Sequence, residues 1–329
     1  MDVWWISEAG AQRRSVDDIA DLVTRTDGWV WVDVPSFDAA AEQLFARVFE
    51  FHPRAVQDCA QRNHVPKVHA YADHLFLAVH SPEVSAGGGH VHYVELDQFV
   101  SARYLITLHG PLNPAVPLET ALRQTGEAAR RLESGRLRPA SPYALSYAIV
   151  SSIVRHEEEL TGNLARDVGL LEQRVMAGVE EDPEDFLEQL FQARHKLLTV
   201  RTMAAQTREV YGRLVRVAAS FVPEAGVPLF DDLVDQYDRL CGIADGQLAF
   251  LHGVTEYYRA RTDTKMTIAA ERLAVIAAVT LPITALSSVL GMNVIVNTST
   301  HWVILVILLL TMAAMSLWLL RWARQHGWW

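Results

Sequence analysis

Two long apolar segments without charged residues lie near the C-terminal end of this chain, and they constrain its fold more than any other feature. The first, Leu273–Met292, reads LAVIAAVTLPITALSSVLGM, and the second, Trp302–Leu320, reads WVILVILLLTMAAMSLWLL. An α-helix rises about 1.5 Å per residue and the hydrocarbon core of a bilayer is about 30 Å thick, so each segment is long enough to cross. The alternative is a buried helical hairpin, but two such segments are rarely adjacent in a soluble core.

The distribution of basic residues predicts how these segments are oriented. The segment between them, Val294–His301, contains no Lys or Arg, and the N-terminal sequence MDVWWISEAG lacks the apolar stretch of a signal peptide. The positive-inside rule therefore places both termini in the cytoplasm and predicts a multi-pass protein of the plasma or inner membrane. The basic residues that flank the segments are Arg261, Lys265, Arg272, Arg321 and Arg324.

The rest of the chain is strongly acidic. All 39 acidic residues precede Arg272, together with 26 of the 29 basic residues, so this part carries a formal charge of −13. Such a charge concentrates cations near the protein and argues against nucleic acid as a partner. A need for ordinary solubility would explain this acidic charge equally well. The two cysteines, Cys59 and Cys241, match no metal-binding or redox pattern.

The cytoplasmic part changes character near residue 140. Residues 1–140 resemble an α/β domain, because short β-branched and aromatic runs alternate with a helical pattern. Residues 141–225 read as a helical hairpin, with Glu157 among the charged residues expected on its solvent face. The expected strands are Val3–Ser7, Trp29–Val34, Leu75–His80, His92–Val100 and Tyr104–His109, and Glu83–His90 is expected to form a turn.

A long helix is predicted to join this domain to the membrane. No proline occurs between Pro228 and Pro282, and apolar residues recur at intervals of three and four along the stretch. A helix from Leu229 to Met292 would be roughly 95 Å long, too long for one globule. Residues 226–272 therefore read as a stalk that packs against copies of itself, and an aqueous path would require a symmetric oligomer because one hairpin cannot enclose it.

Several motifs resemble the CorA family of divalent cation channels. The tripeptide Gly291-Met292-Asn293 closes the first apolar segment, and Pro282-Ile283-Thr284 lies within it. Residues 52–80 and 95–109 and the stretch FDDLVD at 230–235 are also similar to family sequences. The tripeptide alone carries little weight, but at the outer end of the first of two C-terminal spans it is specific.

The resemblance implies an α+β cytoplasmic domain, a long helical stalk and two transmembrane helices, assembled as a funnel-shaped homopentamer in the lipid bilayer. The corresponding segments are transmembrane helices at 273–292 and 302–320, an outer loop at 293–301 and a basic tail at 321–329. The function implied is Mg²⁺ influx, with Co²⁺ and Ni²⁺ as further ions, and not enzymatic catalysis. The positions implied as pore-lining are Thr284, Leu281, Leu273, Ala270, Thr267 and Glu256.

The chemistry of Mg²⁺ fits the implied filter. Mg²⁺ dehydrates reluctantly and prefers oxygen ligands, so a ring of Asn293 side-chain carbonyls could hold the hydrated ion through its water shell. Gly291 would let the chain turn as the helix ends, and Met292 would pack behind the ring. Asn293 also suits a plain helix C-terminus, and Glu256 also suits a solvated helix face.

The chain departs from the family pattern at three places. Thr267 stands where asparagine is common, Ala270 stands where methionine is common, and the outer loop contains no acidic residue. A smaller hydrophobic constriction weakens gating by dewetting. Two alternatives therefore stay open, a Zn²⁺ transporter of the ZntB-like branch and a membrane-anchored scaffold that does not conduct.

A regulatory metal site is also implied by the resemblance. Asp232 matches an acid at the start of the stalk that helps to bind Mg²⁺ between subunits, with Asp231 and Asp235 beside it. Hard carboxylates suit Mg²⁺, and binding that favours a closed state would provide feedback. The same acids could simply stabilise the N-terminal turn of a helix.

Overall fold

The computed structural model describes residues 1–85, 89–177, 183–218, 222–291 and 302–325. The chain divides into two compact units, Met1–Gly253 and Val254–Trp329. The first unit is built on a sheet covered by helices, and the described part of the second is helical.

Within the described residues, a seven-stranded sheet forms the centre of the first unit, in the order β2-β1-β3-β7-β6-β5-β4. β3 and β7 are parallel, and every other pair of neighbours is antiparallel. The strands are β1 (Asp2–Ser7), β2 (Gly10–Arg14), β3 (Trp29–Val34), β4 (Lys67–Ala70), β5 (Leu75–Val84), β6 (Val91–Val100) and β7 (Tyr104–Leu108).

Both faces of the sheet are buried. Side chains alternate across a strand, so Val3 and Trp5 enter one core while Trp4 and Ile6 enter the other. Trp4 stacks on Trp31 in the core that contains the long helices, with ring centroids 6.3 Å apart. Burial on both faces explains why the central strands read as nearly continuous apolar runs.

Helices surround the sheet and continue beyond it. Asp38 caps α2 by accepting a hydrogen bond of 2.8 Å from the Ala41 amide, and prolines begin α3, α6 and α7. The helices are α1 (Ile19–Thr24), α2 (Ala39–Arg47), α3 (Pro53–Cys59), α4 (Leu118–Ala121), α5 (Arg123–Glu133), α6 (Pro142–Ala177), α7 (Pro183–Ala218), α8 (Val227–Gly291) and α9 (Trp302–Gln325).

The beginning of α8 is anchored in the core of the first unit. Phe230, Leu233 and Tyr237 are fully buried there. The ring of Tyr211 on α7 stacks against Phe230 and Tyr237, with centroids 6.0 and 6.3 Å away. A shift of this end of α8 would therefore disturb the packing of α7.

The expected order of an α/β domain followed by a long helix is confirmed. The strand expected at Leu75–His80 continues to Val84, because Val84 pairs with Val91 and extends the β5–β6 hairpin. Glu83 and Val84, expected in a turn at Glu83–His90, are therefore in the strand, and residues 86–88 of that expected turn lie outside the described residues. Helix α6 lies within one residue of the span that its sequence pattern predicts.

The prediction for Glu157 is wrong. Its side chain is fully buried in α6 rather than on the solvent face. Glu157 lies four residues after Ile153 and three before Leu160, both buried, so helical spacing places it on the apolar stripe.

Candidate functional site

The second half of α8 exposes an apolar surface. Among the described residues, one helix, within Glu224–Ser288, is long and apolar enough to cross a membrane; its most apolar window has a mean hydropathy of 1.6 and is 6% buried. A core helix of a soluble protein would be covered by its own chain. This surface instead requires lipid or other copies of the chain to cover it. Its exposed members include Ile268, Leu273, Ile276, Leu281 and Leu286.

The six residues expected to line a pore share one face of α8. With about 100° between successive residues, they fall within an arc of about 120°. All six are exposed, and Leu273 and Leu281 keep 67% and 66% of their surface. The fold of a single chain therefore leaves this face uncovered. The six are Glu256, Thr267, Ala270, Leu273, Leu281 and Thr284.

The two threonines on this face present oxygen acceptors. The Thr267 hydroxyl donates to the Asp263 carbonyl at 2.9 Å, and the Thr284 hydroxyl donates to the Thr280 carbonyl at 2.8 Å. Because each proton is held by the helix itself, the lone pairs of each hydroxyl oxygen remain available to a donor such as a cation-bound water.

Pro282 adds a backbone acceptor near Thr284. It lies inside α8 and lacks the N–H that would bond the Ala278 carbonyl four residues earlier. A membrane-spanning helix must satisfy such a carbonyl by water, a side chain or a neighbouring helix. This part of α8 thus contains both a side-chain and a backbone oxygen that can accept hydrogen bonds.

Glu256 lies on the same face but is not a free charge. Its Oε1 atom lies 3.3 Å from Nη1 of Arg259, one helical turn away, and both side chains are largely exposed. An exposed pair of this kind contributes little stability. The arginine partly offsets the attraction that Glu256 would exert on a cation.

Asp232 is held in a small hydrogen-bond network. Its Oδ2 atom accepts bonds from the Tyr147 hydroxyl at 2.6 Å and from Nε2 of Gln236 at 2.5 Å. The hydrogen bond to Asp232 raises the pKa of Tyr147, with burial as the second cause. Tyr147 lies on α6, so the network joins α6 to the first turns of α8.

Asp231 and Asp235 do not join this network. Both are exposed on α8. In the described ranges, no group of three or more His, Cys, Asp or Glu side chains is arranged to hold a metal ion. The three acids expected at a regulatory site are thus close in sequence but do not form a ligand set within one chain.

The expected filter lies at the edge of the described residues. Gly291 is the last residue of α8. Met292 and Asn293 lie outside the described residues. The place of the tripeptide at the end of the first span therefore stays a prediction.

The hydrogen-bond partners of Asp232 are not evident from the sequence. Gln236 follows Asp232 by four residues, a helical spacing that could have indicated the contact. Tyr147 is 85 residues away in the sequence. No local pattern indicates a contact over that separation, so only the packing of α6 against α8 reveals it.

Comparisons with known proteins agree over most of the chain. A family model described as CorA-like Mg²⁺ transporter protein matches residues 26–325. The chain is similar to the cobalt/magnesium transport protein CorA of Thermotoga maritima, with 21% identity over 270 residues, 80% of this chain and 72% of the relative.

Two solved structures resemble the fold. The CorA magnesium transporter from Methanocaldococcus jannaschii superposes with a TM-score of 0.82 at 14% identity, covering 100% of this chain and 99% of the other. The ZntB cytoplasmic domain from Vibrio parahaemolyticus superposes with a TM-score of 0.63 at 10% identity, covering 80% and 98%. At these identities the likeness shows a shared fold.

Proposed function

The chain belongs to the CorA-like Mg²⁺ transporter family of divalent cation transporters, and from this premise we propose that it conducts hydrated Mg²⁺ into the cell as a channel. A membrane potential pulls a divalent ion inward with about 4.6 kcal/mol per 100 mV. A passive path therefore suffices to drive the uptake.

One observation carries the proposal. Helix α8 is continuous from Val227 to Gly291, and beyond the first unit it bears an uncovered face on which Leu273 and Leu281 lie between the oxygen acceptors of Thr267 and Thr284. Apolar rings control wetting, and oxygen acceptors can bond to the waters of a hydrated ion. This mixture suits the wall of a narrow aqueous path.

The proposed filter is a ring of Asn293 side chains at the end of this wall. A neutral amide oxygen can accept hydrogen bonds from water on Mg²⁺ without stripping the ion, which would be costly. Such a filter discriminates little among similar hydrated ions, so Co²⁺ and Ni²⁺ would also pass.

The path requires several copies of α8. One α8 presents a single face of about 120°, which cannot enclose water. A closed ring of identical subunits with these faces inward would cover the exposed apolar surface and form the path together. The proposed assembly is a pentamer with α9 as the second membrane span, both termini cytoplasmic and residues 293–301 outside.

Feedback by cytoplasmic Mg²⁺ is proposed at Asp232. Within one chain its carboxylate is bonded to Tyr147 and Gln236, so a bound ion would need further oxygen ligands from a neighbouring subunit. Asp232→Asn removes the charge and should increase Mg²⁺ flux at high internal Mg²⁺. Asp245→Asn, an exposed acid further along α8, should leave the flux unchanged. Equal inhibition by internal Mg²⁺ in Asp232→Asn and wild type would contradict the proposal.

Zinc transport is the second candidate. It is favoured by the neutral outer loop, because no acid gathers Mg²⁺ there, and by the fold shared with the ZntB cytoplasmic domain. A non-conducting scaffold is the third reading, supported by Thr267 and Ala270.

Ion flux into liposomes separates these functions. The full-length protein is reconstituted with a trapped Mg²⁺ dye, and an inside-negative potential is imposed; the assay is repeated with Zn²⁺ and Co²⁺ and their own dyes. The proposal predicts entry of Mg²⁺ and Co²⁺. Entry of Zn²⁺ without entry of Mg²⁺ would contradict the proposal and support zinc transport. Failure of all three ions to enter would support the non-conducting scaffold.

A further inference from the structure

A basic cavity opens on the first unit. It has a volume of about 530 Å³ and lies where the α5–α6 connection, α6 and α8 meet. We call it the basic cavity because four arginines line it, Arg131, Arg138, Arg155 and Arg239.

The charge of this cavity is poorly balanced. Glu158 also lines the cavity, with Oε1 3.7 Å from Nε of Arg239. Among the described residues, the other three arginines form no ion pair, so the lining keeps a net positive charge. The whole chain carries a formal charge of −10, so acids are plentiful elsewhere. Gathering arginines costs Coulomb energy that an anion would offset.

The walls of the basic cavity differ in polarity. Tyr147 and Gln236 provide polar groups, while Leu137, Pro139 and Val154 provide apolar surface. Ser151 also lines the cavity and is 6% exposed, and its hydroxyl lies near the Tyr147 phenol.

We propose that the basic cavity binds an organic polyphosphate of nucleotide size. Guanidinium groups form paired, charge-assisted hydrogen bonds with phosphate oxygens, and several arginines match a ligand with more than one phosphate. A volume of 530 Å³ lies within the usual range for small-molecule sites. The apolar wall receives the organic part of the ligand.

The position of the basic cavity allows a bound ligand to influence the contact between α6 and the start of α8. Tyr147 and Gln236 line the cavity and also hold Asp232, so a bound phosphate bridges α6 and α8 beside that carboxylate. The ligand therefore changes how firmly the start of α8 is held against α6. Any effect on ion flux rests on the proposed function, whereas binding itself does not.

Titration calorimetry of the full-length protein in detergent, in Mg²⁺-free buffer with ADP as probe, tests the site. We expect saturable binding that weakens with added salt, because the contacts are ionic. Arg155→Gln and Arg138→Gln should each lower the affinity about 10-fold, since a hydrogen bond to a charged group is worth about one decade of affinity or more. Inorganic pyrophosphate should bind less tightly than ADP, because it leaves the apolar wall empty.

Arg136→Gln is the matched control, since Arg136 is exposed on the same connection but does not line the basic cavity. It should bind ADP as wild type does. Thermal unfolding checks that the variants fold. Absence of ADP binding, or equal affinity in all three variants, would overturn the proposal. So would a double variant, Arg138→Gln with Arg155→Gln, that loses its oligomeric state, because the arginines would then hold a second copy of the chain.

Discussion

At the scale of single residues, the most unusual feature is a carboxyl group in an apolar core. Glu157 is fully buried in α6, and neither of its carboxyl oxygens has a hydrogen-bond partner within the described residues. Burial raises its pKa well above the ordinary range. The group is therefore protonated in the folded chain under conditions that ionise it in the unfolded chain.

Replacing Glu157 by glutamine should stabilise the protein at neutral pH. An acid with a raised pKa contributes stability below its unfolded value of about 4.3, and that contribution is lost as pH rises towards the folded pKa. Glu157→Gln removes this dependence and should gain roughly 1–3 kcal/mol at pH 8 but little at pH 4. Thermal unfolding at the two pH values measures the difference. Glu159→Gln, exposed on the same helix, is the control, and an equal gain for both variants would contradict the account.

His80 should give the stability of the protein the opposite pH dependence. It is buried on β5 with Nε2 2.7 Å from the Asn63 carbonyl, and burial lowers its pKa to about 4. Its contribution to stability is complete above pH 6.5 and is lost as pH falls towards 4, about 3 kcal/mol in all. His80→Gln should flatten the acid limb of the unfolding curve, and the exposed His252→Gln should not. An unchanged acid limb in His80→Gln would show that other groups cause the acid loss.

At the scale of elements, two glycines should respond to alanine in opposite directions. A Cβ at Gly28, just before β3, would lie 2.5 Å from the Ile6 carbonyl and 2.6 Å from the Trp5 ring, whereas one at Gly246 in α8 would meet nothing within 4 Å. Gly28→Ala should destabilise the first unit by about 1–3 kcal/mol, because β1 and β3 must move apart. Gly246→Ala should stabilise it by about 0.5–1 kcal/mol, since alanine favours helix. Chemical denaturation checks both signs, and destabilisation by Gly246→Ala would indicate a close contact at that position.

The sequence predicts best those elements whose pattern alone determines them. β3 is a compact run of aromatic and β-branched residues, and α6 is a helix of 36 residues that begins at a proline, so the limits of both are close to expectation. β2 and β4 do not follow from the sequence, because Gly10–Arg14 and Lys67–Ala70 are edge strands of five and four residues and both are partly exposed, too short for a clear pattern. They are strands because β1 and β5 offer them hydrogen bonds.

The candidate site also has a part that the sequence indicates and a part that only the packing reveals. The six positions expected to line a pore come from the resemblance to the CorA family, and helical spacing then places all six on one face of α8. The network around Asp232 and the basic cavity depend on how α6 packs against α8. That packing joins residues far apart in sequence, which no local pattern encodes.

At the scale of the whole molecule, the exposed apolar half of α8 predicts association. A helix whose most apolar window has a mean hydropathy of 1.6 and is only 6% buried needs lipid or other copies of the chain to cover it. Light scattering in detergent should give a protein mass near five times 36.8 kDa. Replacing exposed Leu281 by Asp, which would place like charges side by side in a closed ring, should disrupt the assembly. A monomeric wild-type protein would contradict the proposed path.

The measurement that tests the central claim most directly is Mg²⁺ entry into liposomes that contain Asn293→Ala. Asn297→Ala, a second asparagine of the expected outer loop, provides the matched control. The account predicts that Asn293→Ala loses Mg²⁺ entry while Asn297→Ala keeps it, because only Asn293 would hold the hydrated ion. Normal Mg²⁺ entry through Asn293→Ala would contradict the account, since the ion would then be selected elsewhere.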